Sequence, residues 1–309
     1  MGWHQTFILV GIPGMQEYNS WMAFALCLLY LLTLFGNLTI LFVIKTEQSL
    51  HNPMYLFLSI LSCSDLSLAM STMPTMLGVY WFDAREISFT ACLTQMFFIH
   101  TFGVVESGIL VAMAFDRFVA IRDPLRYTSL LQNSVIGKMG LAVLARGFCV
   151  CFPAPFLIKR LPFCQSNVLS HSYCLHQDAM KLACADTRVN VLYGLIIVIC
   201  TFGLDAVVIL FSYILILKTV LNIASRTERL KALNTCVSHV CAILIFYVPL
   251  IGVTVVHRFA RHLSPIIPMM MANIYIVVPP FLNPIVYSVK TQKIRQRIRK
   301  MFQQKKIRN

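Results

Sequence analysis

The chain is 309 residues long and 58% hydrophobic, with a mean hydropathy of +0.74 and a formal net charge of +14. Soluble domains hold ~45–50% apolar residues. The excess here lies in long uncharged runs, which marks an integral membrane protein and argues against nucleic acid as the partner of the positive charge. The 11 cysteines are too scattered for a small disulfide scaffold, and most fall inside apolar runs as small buried hydrophobes.

Residues 1–20 form a short lead with no basic region or small-residue cleavage site, so the first span is expected to act as the signal anchor. Span one, Trp21–Ile44, is uncharged and amounts to ~36 Å of helix at 1.5 Å per residue, enough for a ~30 Å hydrocarbon core. Gly36 and Asn37 are its polar point. Span two, about Met54–Phe82, holds Asp65. Span three, about Ala91–Ile121, holds His100 and Glu106. Span four, Val135–Ile158, holds Arg146. The polar loop Lys159–Asn190 carries 3 cysteines and 2 histidines. Span five, Val191–Leu217, holds Asp205; span six, about Ala232–Val256, holds His239; span seven is Ile266–Val289.

Seven spans with short loops predict an all-α membrane protein of one domain, residues 1–309. It divides into a lead (1–20), a helix bundle (21–289) and a tail (290–309). Loops and tail on one side carry 18 of the 26 lysines and arginines, and the opposite loops 7. The basic side is cytoplasmic, which with an odd number of spans puts the amino terminus outside; the plasma membrane is the expected location. In the tail, Ile294, Ile298, Met301 and Phe302 share one helical face. Lys293, Arg295, Arg297, Arg299 and Lys300 surround it. Such a helix is expected on the membrane surface, where each basic group near anionic lipid contributes ~1 kcal/mol.

At the exit of span three the chain reads Met113 to Tyr127, with Asp116 and Arg117 adjacent, Pro124 ending the helix, and Arg126 and Tyr127 in the loop. A lone acid–arginine pair at a helix end reads as a capped terminus. The whole stretch resembles the signature of odorant receptors, a branch of the rhodopsin-like G-protein-coupled receptors. Phe118 replaces the family's usual Tyr, and Arg122 and Asp123 depart in the loop that meets the G protein. The resemblance extends to Phe7–Gly14, to Leu50–Tyr55 at the start of span two, to Lys231–His239 at the start of span six, and to Asn283, Pro284 and Tyr287 in span seven. The stretches 113–127 and 170–174, with Tyr247 to Pro249, look most like the fish-like subgroup.

Ionisable groups inside spans cost ~2.5–3.5 kcal/mol on insertion scales, so each is a functional candidate. Glu106 precedes Arg117 by ~16 Å on the same face of span three. The resemblance implies that Asp65, Asn37 and Asn283 form a polar core, to which Glu106 adds a second acid. The core holds either sodium or two hydrogen-bonded carboxyls without an ion. Arg146 and Asp205 have no assignment beyond bonds to backbone or a neighbouring span. The resemblance also pairs Cys92 with Cys174 and Cys164 with Cys184. His171, Cys174 and His176 suit zinc or copper by type, but a bridged Cys174 offers no thiolate, so no metal is expected.

What the resemblance implies for function is an odorant receptor, not an enzyme, without a cofactor. Its pocket should lie between the outer parts of spans three, five and six and the second outer loop. Residues 97–105 hold no acid, where amine receptors place one, and span seven holds no lysine for retinal. The expected ligand is a small carboxylic acid held by Arg258, His100 and Thr254. Gln177 closes the lid, Gly103 and Val104 lie at the pocket, and Phe97, Phe102 and Leu250 supply apolar wall. Arg258 pairing with Asp178 or lipid is the plainer alternative. Asp116, Arg117, Tyr247, Asn283 and Tyr287 would carry activation to a stimulatory G protein. A transporter of small organic anions is the rival reading, although no inverted repeat is visible.

Overall fold

The structure, a computed structural model, describes residues 6–12, 16–164, 166–259, 264 and 266–308. Seven helices are long and apolar enough to cross a membrane. They are span one Asn19–Thr46, span two Pro53–Trp81, span three Phe89–Arg122, span four Asn133–Lys159, span five Arg188–Leu221, span six within the helix Arg226–Phe259, and span seven Ile266–Lys290. The tail forms a helix over Gln292–Arg308. Span six starts well before the apolar run, because its charged first turns, from Arg226 to Lys231, continue the helix beyond it. Two local departures were not predicted. Span four is interrupted at Phe152, before Pro153. Span five contains a π-helical stretch, Val198–Gly203.

Span three is the axis, burying side chains from Cys92 to Val119. Spans one, four and five instead present large apolar side chains outward. Trp21, Phe24, Leu141, Phe148 and Leu210 are each more than half exposed. An apolar belt of this extent on a polar-ended bundle is a surface for lipid. The inner faces pack around Ile40, Phe57, Leu61, Ile109, Phe246 and Tyr287.

Prolines shape span seven. Pro284 has no N–H for the Pro280 carbonyl one turn earlier. Asn37 Nδ2 donates to that carbonyl at 3.0 Å instead, satisfying a group that lipid could not. Gly36 beside it permits the approach, since a Cβ there would meet Pro284 Cβ and Cγ at 3.0 Å.

The outer face carries a small sheet. Strand β1 (Thr6–Leu9) lies between β2 (Glu86–Ser88), antiparallel, and β3 (Val168–Leu169), parallel. Phe7 is fully buried against the Phe89 and Phe163 rings. Cys92 is bridged to Cys174 and Cys164 to Cys184, with Cα–Cα distances of 5.4 and 6.0 Å. The first bridge ties the outer loop to the head of span three, where the Gln95 Oε1 accepts from the Cys174 N–H at 2.8 Å. Cys92→Ser should therefore free the loop from the axis of the bundle and cut surface expression severely. Cell-surface immunolabelling against total protein checks this, and a surface level equal to the parent's would refute it.

Candidate functional site

Three polar clusters lie along span three, one at its carboxy-terminal end and two near its middle. At the carboxy-terminal end Asp116 is fully buried and Arg117 nearly so. Arg117 donates to Asp116 Oδ2 from Nη2 at 2.7 Å and from Nε at 3.1 Å. Tyr127, in the short loop helix Tyr127–Leu130, donates to Asp116 Oδ1 at 2.7 Å. Burial and the Asp116 carboxylate push the Tyr127 phenol well above its usual range, so it remains a donor. The arginine is thus turned inward onto its neighbour. Tyr287 is buried beside it, its hydroxyl 3.9 Å from Met113 Sδ. The role of Tyr127 was not legible from the pair alone.

In the middle of the bundle, Asn283 Nδ2 donates to both oxygens of Asp65 at 3.2 Å. The Glu106 carboxyl is in hydrogen-bonding contact with Asp65. Two buried carboxyls this close hold a shared proton or a cation between them. Asn37 is one step removed: it bonds to the carbonyls of Thr33 and Pro280 and not to Asp65.

At the same depth of span three, on its side toward spans four and five, Arg146 and Asp205 form a bidentate pair at 2.7 and 2.6 Å, joining those two spans. Ser107 donates to Asp205 Oδ2 at 2.6 Å and lies 2.9 Å from Tyr247 Oη. Arg146 Nη2 also reaches the Val104 carbonyl at 3.3 Å. Tyr247 is therefore an interior residue on this network, one helix away from the ion pair. Sequence reasoning left Arg146 and Asp205 apart. The signal was present: a lone cation in one span and a lone anion in the next have no cheaper partner in hydrocarbon than each other. Arg146→Leu leaves Asp205 buried and unpaired and should lower surface expression several-fold. Adding Asp205→Leu should recover much of it, because removing both charges spares the desolvation penalty. Surface labelling of the single and double variants checks the sign of the coupling, and a double variant no better than the single one would refute it.

Above this layer is a cavity of about 470 Å³ between spans three, four and five and the outer loop. Its polar lining includes His100, His176, Gln177, Lys181 and Asn190, and Phe202 from the π-helical stretch contributes to its apolar wall. A pocket of this size accommodates a small organic molecule. The His100 and His176 rings meet edge to face, 6.3 Å apart. Burial, and then the neighbouring His100, lower the His176 pKa to about 3, so it is neutral at physiological pH. Asp178, in the loop helix His176–Lys181, is turned away into the loop. It accepts from the Ser170 N–H at 2.6 Å and lies 3.0 Å from His171 Nδ1. Burial alone would raise its carboxyl, but the His171 hydrogen bond and charge outweigh it and hold the carboxyl below its usual range.

Of the residues expected at the ligand, His100 and Gln177 line this cavity, and three others do not. Gly103 faces span seven, where a Cβ would meet the Tyr275 hydroxyl at 2.8 Å. Val104, the next residue, is buried, and its carbonyl is engaged by Arg146. Thr254 donates to the Leu250 carbonyl of its own helix at 2.8 Å. Arg258 belongs to the last turn of the span-six helix, but its side chain lies outside the described residues. The expected apolar wall also differs. Phe97 packs on Phe148 of span four, and Phe102 stacks on Phe98. The cavity borders span four instead, where Cys151 and Ala154, on either side of the interruption at Phe152, line its wall.

The family model described as olfactory receptor matches residues 26–305. The chain is 64% identical to human olfactory receptor 51H1 over 292 residues, covering 94% of this chain and 97% of that protein. It is 56% identical to human olfactory receptor 51G2, covering 96% and 95%. The crystal structure of squid rhodopsin superposes with a TM-score of 0.75 at 17% identity, covering 96% of this chain and 90% of that one, a likeness of fold alone.

Proposed function

The chain belongs to the olfactory receptor family of G-protein-coupled receptors, and on that premise we propose that its ligand is a small carboxylic acid and its partner a stimulatory G protein. It is a multi-pass membrane receptor and not an enzyme. In this reading it sits in the plasma membrane with the amino terminus outside, and its basic tail helix rests on lipid. The observation that carries the ligand class is the makeup of the cavity's lining, where the one charged side chain among the described residues is a cation. Its lining includes a lysine, Lys181, two imidazoles and no carboxylate. Asp178, the acid of the loop helix, is engaged by Ser170 and His171 and stands 4.0 Å from Lys181 Nζ, the far edge of ion-pair range, so Lys181 keeps its reach into the cavity.

Arg258, at the outer end of span six, is the proposed anchor for the carboxylate. A guanidinium matches a carboxylate in two parallel hydrogen bonds, and a hydrogen bond to a charged group contributes ~1.5–3 kcal/mol. For a ligand of few atoms that single contact can decide affinity. Arg258→Ala should abolish responses to short carboxylic acids while sparing a matched neutral ester. Dose–response curves at equal surface expression test it, and unchanged potency for the acids would place the carboxylate elsewhere, with Lys181→Ala as the next variant.

Ligand binding would then shift a pre-existing equilibrium toward a state in which Arg117 leaves Asp116. Arg117→Ala should keep ligand binding and lose the cAMP rise. A normal cAMP response in that variant would argue against the role given to Arg117.

A further inference from the structure

Asn190 opens the membrane half of span five and lines the outer cavity, yet it is fully buried. Neither its Oδ1 nor its Nδ2 has a hydrogen-bond partner among the described residues. On the same cavity, His100 Nε2 and His176 Nε2 are likewise buried and without a partner. Buried polar atoms are nearly always hydrogen-bonded. Three such side chains around one space of ligand size are therefore a set of contacts awaiting a ligand.

The inventory of these atoms constrains the ligand. An amide brings two N–H donors and an oxygen that only accepts. Each imidazole nitrogen gives or takes a bond according to its tautomer. A plain carboxylate only accepts: it can satisfy Asn190 Nδ2 and any imidazole N–H, but it leaves Asn190 Oδ1 unpaired. Both amide atoms lack partners, so the argument holds whichever way the amide is turned.

We infer that Asn190 reads a hydrogen-bond donor on the ligand, so that the cavity selects a hydroxylated small acid over its unhydroxylated counterpart. Asn190 accepts from the hydroxyl through Oδ1, and His100 and His176 take the remaining polar atoms. This rests on the carboxylic acid reading for the acid group, and not for the hydroxyl. A site built to bond a ligand hydroxyl discriminates strongly against the analogue lacking it, because the site's own polar atoms are then stranded.

The test uses four ligands of matched carbon skeleton: a short acid, the same acid with one hydroxyl, and the methyl ester of each. Responses are read in cells expressing the full chain at equal surface level. The hydroxylated acid should be ~5-fold or more the more potent acid, since an unpaired buried polar atom costs at least about that ratio. Asn190→Leu, or Asn190→Ala if the first fails to reach the surface, should erase that preference. Equal potency of the two acids in the parent, or a preference unchanged by either variant, overturns the inference while leaving the acid reading standing. If the esters respond and the acids do not, the acid reading falls. The role of Asn190 is then scored on the hydroxylated ester against the plain one, by the same criterion. Silence to all four overturns both.

Discussion

In hydrocarbon a charge without a partner is the most costly thing a helix can carry, and the bundle is arranged so that span three meets the charge clusters of the other spans. Its Glu106 touches Asp65 of span two, and its Asp116 and Arg117 neutralise each other. Through Ser107 and the Val104 carbonyl it also holds the Arg146–Asp205 pair that joins spans four and five. Nearer the surface Gln95 binds the Ser71 carbonyl of span two, and Cys92 is bridged to the outer loop. These contacts are directional, whereas apolar packing is not, so they set the register of the helices. A helix that carries every partner has few ways to rotate.

That rigid axis leaves the cavity to be shaped by irregularity in its neighbours. Span four breaks at Phe152 and span five takes a π-helical turn at Val198–Gly203. Both lie beside the cavity, with Cys151 and Ala154 on one wall and Val198 and Phe202 on another. Pro153 accounts for the first, since it cannot donate to the turn before it. A π-turn inserts an extra residue into the helix and re-aims the side chains beyond it. No proline or glycine pair at its start explains the second.

Much of the fold was legible because the hydrophobic runs follow directly from the cost of polar groups in lipid, and the prolines mark where a helix loses a backbone bond. The Asp116–Arg117 stretch and span seven carried the family, and with it the cysteine pairs. Less of the ligand site was legible. Helical spacing alone places Gly103, Val104 and Thr254 near the outer mouth, but it cannot say which neighbour each residue faces. Gly103 faces Tyr275 of span seven and Thr254 its own helix. Asn190 was invisible as a site residue, since a polar residue at the start of a span reads as loop. Its significance appears only when burial and the lack of a partner are known together. Tyr127 escaped for a related reason: a loop tyrosine becomes a third partner of Asp116 only once the loop folds under span three.

The strength of the polar ties also decides which helix can move. Spans three, four and five are joined through a bidentate ion pair with satisfied oxygens, and breaking it would strand charges in lipid. Among the described residues no ion pair involves span six. Among the described residues its side-chain ties to neighbouring spans are hydroxyl and imidazole bonds and, in its first turn, a bond from Arg229 Nη2 to the Leu221 carbonyl of span five at 3.2 Å. Tyr247 meets Ser107 at 2.9 Å, and His239 Nδ1 meets the Tyr213 hydroxyl at 2.8 Å. Neutral hydrogen bonds are each worth ~0.5–1.5 kcal/mol net, so releasing both costs no more than a few kcal/mol. A ligand shifts an equilibrium only by its differential affinity for the two states. One well-placed contact to a small molecule is of the same size as this cost. Span six thus lacks the ionic ties that fix spans three, four and five to one another, and Tyr247 links it through Ser107 to the charged layer beneath the cavity.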